Sequence, residues 1–238
     1  MLQATADLDR TNRTRPVAAT TRALLTCGAI AGPLYIAVAT GQALTREGFD
    51  IRRHAVSLLA NGDLGWIQIL NFVVTGVLTI AGARGLRQAL RGTHDAGGHA
   101  ASWGPRLIAV YGLSLIAAGA FVADPSLGFP AGTPDGPPVE VTWHGVAHFA
   151  AGGVGFLTFV VACLLLARRF AADSQRGWAA WSALTGIGFL GAFAGIASGG
   201  AIPGINVVFT IAVVLAWTWT TALMMRLRAE VARDGTGR

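Results

Sequence analysis

The sequence predicts an all-α fold: a polytopic membrane bundle of six transmembrane helices with both termini in the cytoplasm. Three observations carry that expectation. Of 238 residues, 53% are hydrophobic and only 13% charged, whereas a soluble domain usually carries about 25% charged residues. Six stretches approach the roughly 20 mostly apolar residues that a helix needs to cross a bilayer. The eighteen basic residues, all Arg, are sorted between alternate connections.

Residues 1–22 are polar and Arg-bearing, with no short apolar core ending in a cleavage site. They read as a disordered cytoplasmic tail rather than a secretory signal. Residues 23–227 form the six-helix transmembrane domain, and 228–238 a second cytoplasmic tail. The expected spans are Ala23–Ala43, Trp66–Leu86, Leu107–Ala123, Trp143–Ala167, Trp178–Ala201 and Val207–Met225. The third is the shortest, and Pro203 breaks the fifth late. The longest connection, Asp124 to Thr142, holds five prolines and three acidic residues. It is too short for a core of its own and is expected to be an ordered cap or a floppy lid.

Fifteen arginines flank the termini and the even-numbered connections, against three, Arg46, Arg52 and Arg53, on the other side. The positive-inside rule then puts both termini in the cytoplasm. Net charge +6 taken alone would suit a nucleic-acid binder. Its sorting reads instead as topology and contact with anionic lipid. The expected location is a multi-pass position in the cell membrane, a prokaryotic plasma membrane by the family resemblance described below. Membrane lipid is the expected partner, nucleic acid is not, and a protein partner is unknown. Cys27 and Cys163 both fall inside apolar runs, so no disulfide framework or CxxC metal motif exists.

Span two carries Gln68, Asn71, Thr75 and Thr79 at helical spacing, on one face. Lipid cannot satisfy such a stripe, so it should face the bundle interior. It bonds helix to helix there or lines a polar cavity. Gly191, Gly195 and Gly199 in span five, with Gly152 and Gly155 in span four, read as close-packing surfaces.

Residues 142–153 read "TWHGVAHFAAGG". His144 and His148 stand four apart, hence one above the other on a helix, where two imidazoles can converge on one ion. The segment "GFDIRRHAVSLLANGDLGW" spaces Ile51, Ala55, Leu58 and Leu59 as a short amphipathic helix would. It puts His54, Ser57 and Asn61 on another face. Asp63 is placed as the N-cap of span two, and Asp124 stands at the mouth of span three. His94 and His99 lie in the opposite connection as solvated loop residues. Three imidazoles, His54, His144 and His148, are thus the candidate metal ligands. No cofactor is fixed by the sequence; Zn²⁺ is the metal such a set would hold, with an open position for water. Asp124 and Ser57 are the candidate catalytic residues, orienting that water or stabilising charge on a carbonyl. Neutral hydrogen-bonding roles in a lipid or small-molecule pocket remain the alternative.

Four stretches, "GAIAGPLY", "GFDIRRHAVSLLANGDLGWIQILNF", "ADPSLGFPAGTP" and "WHGVAHF", resemble in that order the "domain of unknown function 998" family of prokaryotic six-span membrane proteins. The resemblance covers roughly Leu24 to Leu227 and implies architecture rather than activity. The residue kit also resembles, more weakly, the alkaline ceramidase and adiponectin-receptor hydrolases. Their sites set three His around zinc, with a Ser and an Asp nearby and an HxxxH pair on one span. His144 and His148 match that pair in form. This chain departs from them with six expected spans rather than seven, and with the pair on span four rather than the last. Its His54 precedes Ser57, where in that group the Ser comes first. Three functions follow as expectations: a metal-dependent hydrolase of a lipid or lipid-linked substrate at the outer face, a lipid or small-molecule binding or transport protein, and an accessory partner of another membrane protein.

Overall fold

A computed structural model describes the backbone of residues 2–90, 98–198 and 204–236, and the side chains of 17–90, 100–198 and 204–234. Among the described residues the chain forms six long helices: α1 Leu2–Thr45, α2 Gly65–Ala89, α3 Gly98–Ala120, α4 Trp143–Ala172, α5 Arg176–Ala197 and α6 Ile205–Thr236. Among the described residues, five are long and apolar enough to cross a membrane: α1 over Val17–Thr45, α2, α4, α5 and α6. The exception is α3. Its first turns hold Trp103, Pro105 and Arg106, and its apolar run starts only at Leu107. Helix α1 begins well before the expected span, over residues that the sequence reading gives to a disordered tail. Pro203 and Gly199 lie outside the described residues. So does His94, and of His99 only the helical backbone is described.

Each helix packs against its sequence neighbours, and α6 closes back on α1. Packing of sequence neighbours runs such a bundle up and down. The result is a ring of six helices around an aromatic core that includes Tyr35, Tyr111, Phe159, Phe189, Trp217 and Trp219. The Trp219 indole finds its partner inside that core, donating to Ser182 Oγ at 3.0 Å.

Between lipid-embedded helices, close contact comes from small residues. A Cβ on Gly82 would stand 2.6 Å from the Gly28 Cα, which fixes the α1–α2 approach. A Cβ on Gly112 would stand 2.8 Å from the Gly76 carbonyl oxygen, which fixes α2–α3. The expected glycine surfaces are only partly used this way. Gly155 packs on Ser114 and Gly195 on Ile205, but Gly191 has nothing within 4 Å of where its Cβ would be.

The polar stripe of α2 does face inward: Gln68, Asn71, Thr75 and Thr79 are all buried. Its bonds run to α1 and along α2. Gln42 Nε2 donates to Gln68 Oε1 at 2.8 Å, and Asn71 Nδ2 donates to the Tyr35 carbonyl at 3.2 Å. Thr75 donates to Asn71 Oδ1 and Thr79 to the Thr75 carbonyl. Among the described residues, Gln42 Oε1 and Gln68 Nε2 are buried without a partner.

One end of the bundle is capped. The expected amphipathic helix is instead a run of turns ending in a short 3₁₀ segment, Val56–Ala60. Ile51 is exposed, while Leu58 and Leu59 are buried with Ala123 and Phe129 in a small second core. The connection 121–142 is the other half of this cap, so the ordered alternative holds.

Replacing Gly112 by Val should lower the thermal stability of the purified protein by about 1–3 kcal/mol, the usual cost of forcing bulk into a packed contact. Gly188→Val, where a Cβ meets nothing within 4 Å, is the matched control. Equal melting points for the two variants would contradict this packing scheme.

Candidate functional site: a capped apolar cavity

Two connections, 46–64 and 121–142, meet the start of α6 at the capped end. Arg46, just past α1, donates to the Leu59 carbonyl at 3.1 Å and the Asn61 carbonyl at 2.7 Å. Its guanidinium also lies over the Phe129 ring, 5.3 Å from the centroid. Burial pushes the Arg46 guanidinium below its ordinary pKa, and the Asp63 charge opposes that. Asp63 does not cap α2. The N-cap position is Leu64, with no side-chain bond. Asn61 Nδ2 donates to the Leu58 and Ala123 carbonyls, joining the 3₁₀ segment to the end of α3. Arg53 pairs with Asp135 at 2.6 Å, and Asn206 at the start of α6 donates to the Arg53 carbonyl.

His54 is a clip in this cap, only 2% exposed. The Asp50 N–H donates to its Nδ1 at 2.9 Å, so Nε2 carries the proton and donates to the Leu127 carbonyl at 2.9 Å. Both nitrogens are committed to backbone groups, and the ring lies between Phe49 and Phe129. No lone pair remains for a metal.

Asp124 is likewise committed. Its carboxylate accepts from the Thr142 N–H at 3.1 Å and the Thr142 hydroxyl at 2.5 Å. Thr142 Oγ1 in turn accepts from the Gly145 N–H and caps α4. The relay places a carboxylate against a helix N-terminus, an arrangement worth about 0.3–1 kcal/mol. A side chain at Gly145 would collide with that carboxylate.

The two histidines of α4 part company. His144 is exposed and stacks on Trp143, ring centroids 3.6 Å apart. His148 is 6% exposed, and its Nδ1 lies 2.8 Å from the Phe121 carbonyl oxygen and 3.1 Å from that of Ala118. Those carbonyls are the unpaired acceptors at the C-terminal end of α3. Among the described residues, no group of three or more His, Cys, Asp and Glu is placed to hold a metal ion. The set His54, His144 and His148 therefore does not fit zinc. The reason is local: one ring is used by the cap, one lies on the surface, and one ends α3.

What the capped end encloses is a cavity of about 110 Å³ that touches all six helices. The walls are mostly aromatic and aliphatic, with Phe72, Phe156, Phe193 and Trp217 among them. The polar groups on it include Ser57, Tyr111, Ser114 and His148. Among the described residues, no charged side chain lines it. Gln68, Asn71 and Thr75 do not line it either, so the expected polar cavity on α2 is a helix-to-helix hydrogen-bond run. Among the described residues, the Ser57 and Tyr111 hydroxyls and His148 Nε2 have no hydrogen-bond partner; Ser114 donates to the Tyr111 carbonyl. Sequence reasoning missed Tyr111. Its signal was slight: one tyrosine on the inward face of an apolar span.

The lining also reaches the surface. Phe149 is 66% exposed, and Gly152 and Gly153 leave the wall thin where α4 faces Phe193 and Ile196 of α5. A Cβ on Gly153 would find its nearest neighbour, the Phe193 ring, at 3.9 Å. The most exposed part of the lining thus lies on α4, at Phe149, beside α5.

A family model described as "Protein of unknown function (DUF998)" matches residues 29–226. The chain belongs to that family. No curated protein and no solved structure matches. The match in this DUF998 member spans the cap, the cavity and all six helices, and so covers the site as well as the scaffold.

Asp124→Ala should destabilise the cap by about 1–3 kcal/mol, because it leaves the Thr142 donors without an acceptor. Faster proteolysis within 125–141 is the readout, and unchanged cleavage would contradict the relay. A strong chelator should leave the melting point where it is; a fall on chelation would restore a metal to the account.

Proposed function

We propose that this protein binds an apolar or amphipathic small molecule drawn from the membrane, in the capped cavity, by way of an opening between α4 and α5. The observation that carries this reading is the combination on one cavity of mostly aromatic walls, a few unpartnered polar atoms and a lining that reaches the surface at Phe149. Ligand sites are typically apolar with a few placed polar groups. The volume sets a scale. An engineered cavity of about 150 Å³ in another protein takes up benzene. A cavity of about 110 Å³ thus suits one end of a lipid-like chain rather than a whole lipid, with the remainder lying in the mouth. Binding is preferred over metal-dependent hydrolysis because the three histidines are not gathered. It is preferred over a purely accessory role because such a role gives the cavity nothing to do.

In this reading α3 is a sixth, short span, and the Arg-rich connections and both termini face the cytoplasm of a prokaryotic plasma membrane. The capped end then faces outward. With Cys27 and Cys163 replaced by Ser, Val139→Cys in the cap should react with an impermeant thiol reagent in intact cells. Ser174→Cys, between α4 and α5, should react only after lysis. The reverse pattern would invert the orientation.

Gly152→Leu tests the cavity itself. The added side chain should displace a chain segment worth about two buried methylenes at roughly 0.8 kcal/mol each, or about tenfold in affinity. The probe is a dibrominated sixteen-carbon chain, read by quenching of Trp217, with Trp217→Phe as the control for the other indoles. Undiminished quenching in Gly152→Leu would contradict binding at this site.

A further inference from the structure

We infer that the cavity selects an uncharged amphiphile carrying a hydrogen-bond donor, a hydroxyl on an apolar body, which it presents to Nε2 of His148. The inference rests on the binding reading above and adds the chemistry of the ligand's polar end.

The geometry of His148 supplies the direction. Both partners of Nδ1 are carbonyl oxygens, at 2.8 and 3.1 Å. Carbonyls only accept, so Nδ1 holds the proton. In the neutral ring the other nitrogen is then a bare acceptor. Closing the end of α3 needs only one donor, and many side chains supply one. The imidazole adds a second, opposite-facing polar atom, on a residue that lines the cavity and is 6% exposed. Nε2 makes no bond to the described residues yet is not one of their fully enclosed atoms, so it is open to a partner; a ligand hydroxyl donating to Nε2 supplies that partner.

The rest of the lining fixes the charge class. Carboxylate or phosphate brought into this cavity would meet no Arg, since none of the described arginines lines it. An unpaired charge in such surroundings is strongly disfavoured. The Ser57 and Tyr111 hydroxyls can each donate or accept, which suits a hydroxyl or an adjoining ester oxygen. Along α3 the lining runs from Ala118 to Tyr111, a rise of about 10 Å at 1.5 Å per residue. That leaves room for a polar end and its first few carbons, with the apolar body leaving through the α4–α5 mouth.

The test is competitive retention in native mass spectrometry of the full chain released from detergent. The probes are hexadecanol, hexadecane, hexadecanoate and hexadecyl phosphate at equal concentration. The wild type should retain hexadecanol at least about tenfold over both anions and several-fold over hexadecane, where tenfold is about 1.4 kcal/mol. His148→Phe should lose the preference for the alcohol over the alkane while still retaining the alkane. Tyr111→Phe removes one hydroxyl that the fold itself does not use, so it keeps the test open if His148→Phe fails to fold. It should weaken alcohol retention several-fold with an unchanged melting point. Equal retention of alcohol and alkane by the wild type would overturn the hydroxyl assignment and leave the binding reading standing. Preference for an anion would overturn it in the same way. Retention of none of the four would overturn both.

Discussion

The proton on His148 Nδ1 holds the site together. Its acceptors are the carbonyls of Ala118, in the last turn of α3, and of Phe121 just past it, where the helix leaves carbonyls without donors. In a lipid environment such groups must be satisfied from within the protein. That single requirement draws α4 against the end of α3, buries the ring and leaves Nε2 without a bond to the described residues. It also sets where the connection 121–142 must begin, and hence where Asp124 meets Thr142 to start α4. The cap and the cavity are consequences of the same local shortage of donors.

The cap obeys the same logic by other means. His54 ties Asp50 to Leu127, Asn61 ties Leu58 to Ala123, and Arg46 holds Leu59 and Asn61 from above the Phe129 ring. Nearly every one of these bonds ends on a backbone carbonyl or N–H of an irregular segment. A loop at the membrane surface would leave those groups to water. Here they are met by side chains, and this lets Leu58, Leu59 and Phe129 form a small core over the bundle. Ser57 belongs at once to this cap and to the cavity lining, so the cap is the cavity's roof.

How much of this was legible follows from where the partners lie. The inward face of Gln68, Asn71 and Thr75 was readable because helical periodicity alone puts them on one side. The same periodicity put His144 and His148 on one inward face, but only His148 turns inward, and His144 is exposed. His54 was read as a ligand because spacing shows residue types and not partners. Its partners are the backbone of Asp50 and Leu127, and no pattern in side chains reports them. The short amphipathic pattern at Ile51 to Leu59 misled because a 3₁₀ turn can bury Leu58 and Leu59 without burying Ile51. Asp124 was placed at the right point of the chain, but its role as a support for the Thr142 cap depends on a contact across eighteen residues. The cavity itself was not readable at all. It is a space shared by six helices, and its lining includes Gly152 and Gly153, which sequence alone could not tell from packing glycines.

The central claim is that a membrane-derived molecule reaches the interior through the α4–α5 opening. The most direct measurement is photolabelling in lipid nanodiscs with a long-chain alcohol that carries a diazirine near its hydroxyl, followed by peptide mapping. The account predicts adducts on cavity residues such as Tyr111, Ser114 and Trp217, beyond those on lipid-exposed positions such as Leu157, Leu184 and Ile187. Adducts confined to the exposed positions would contradict it.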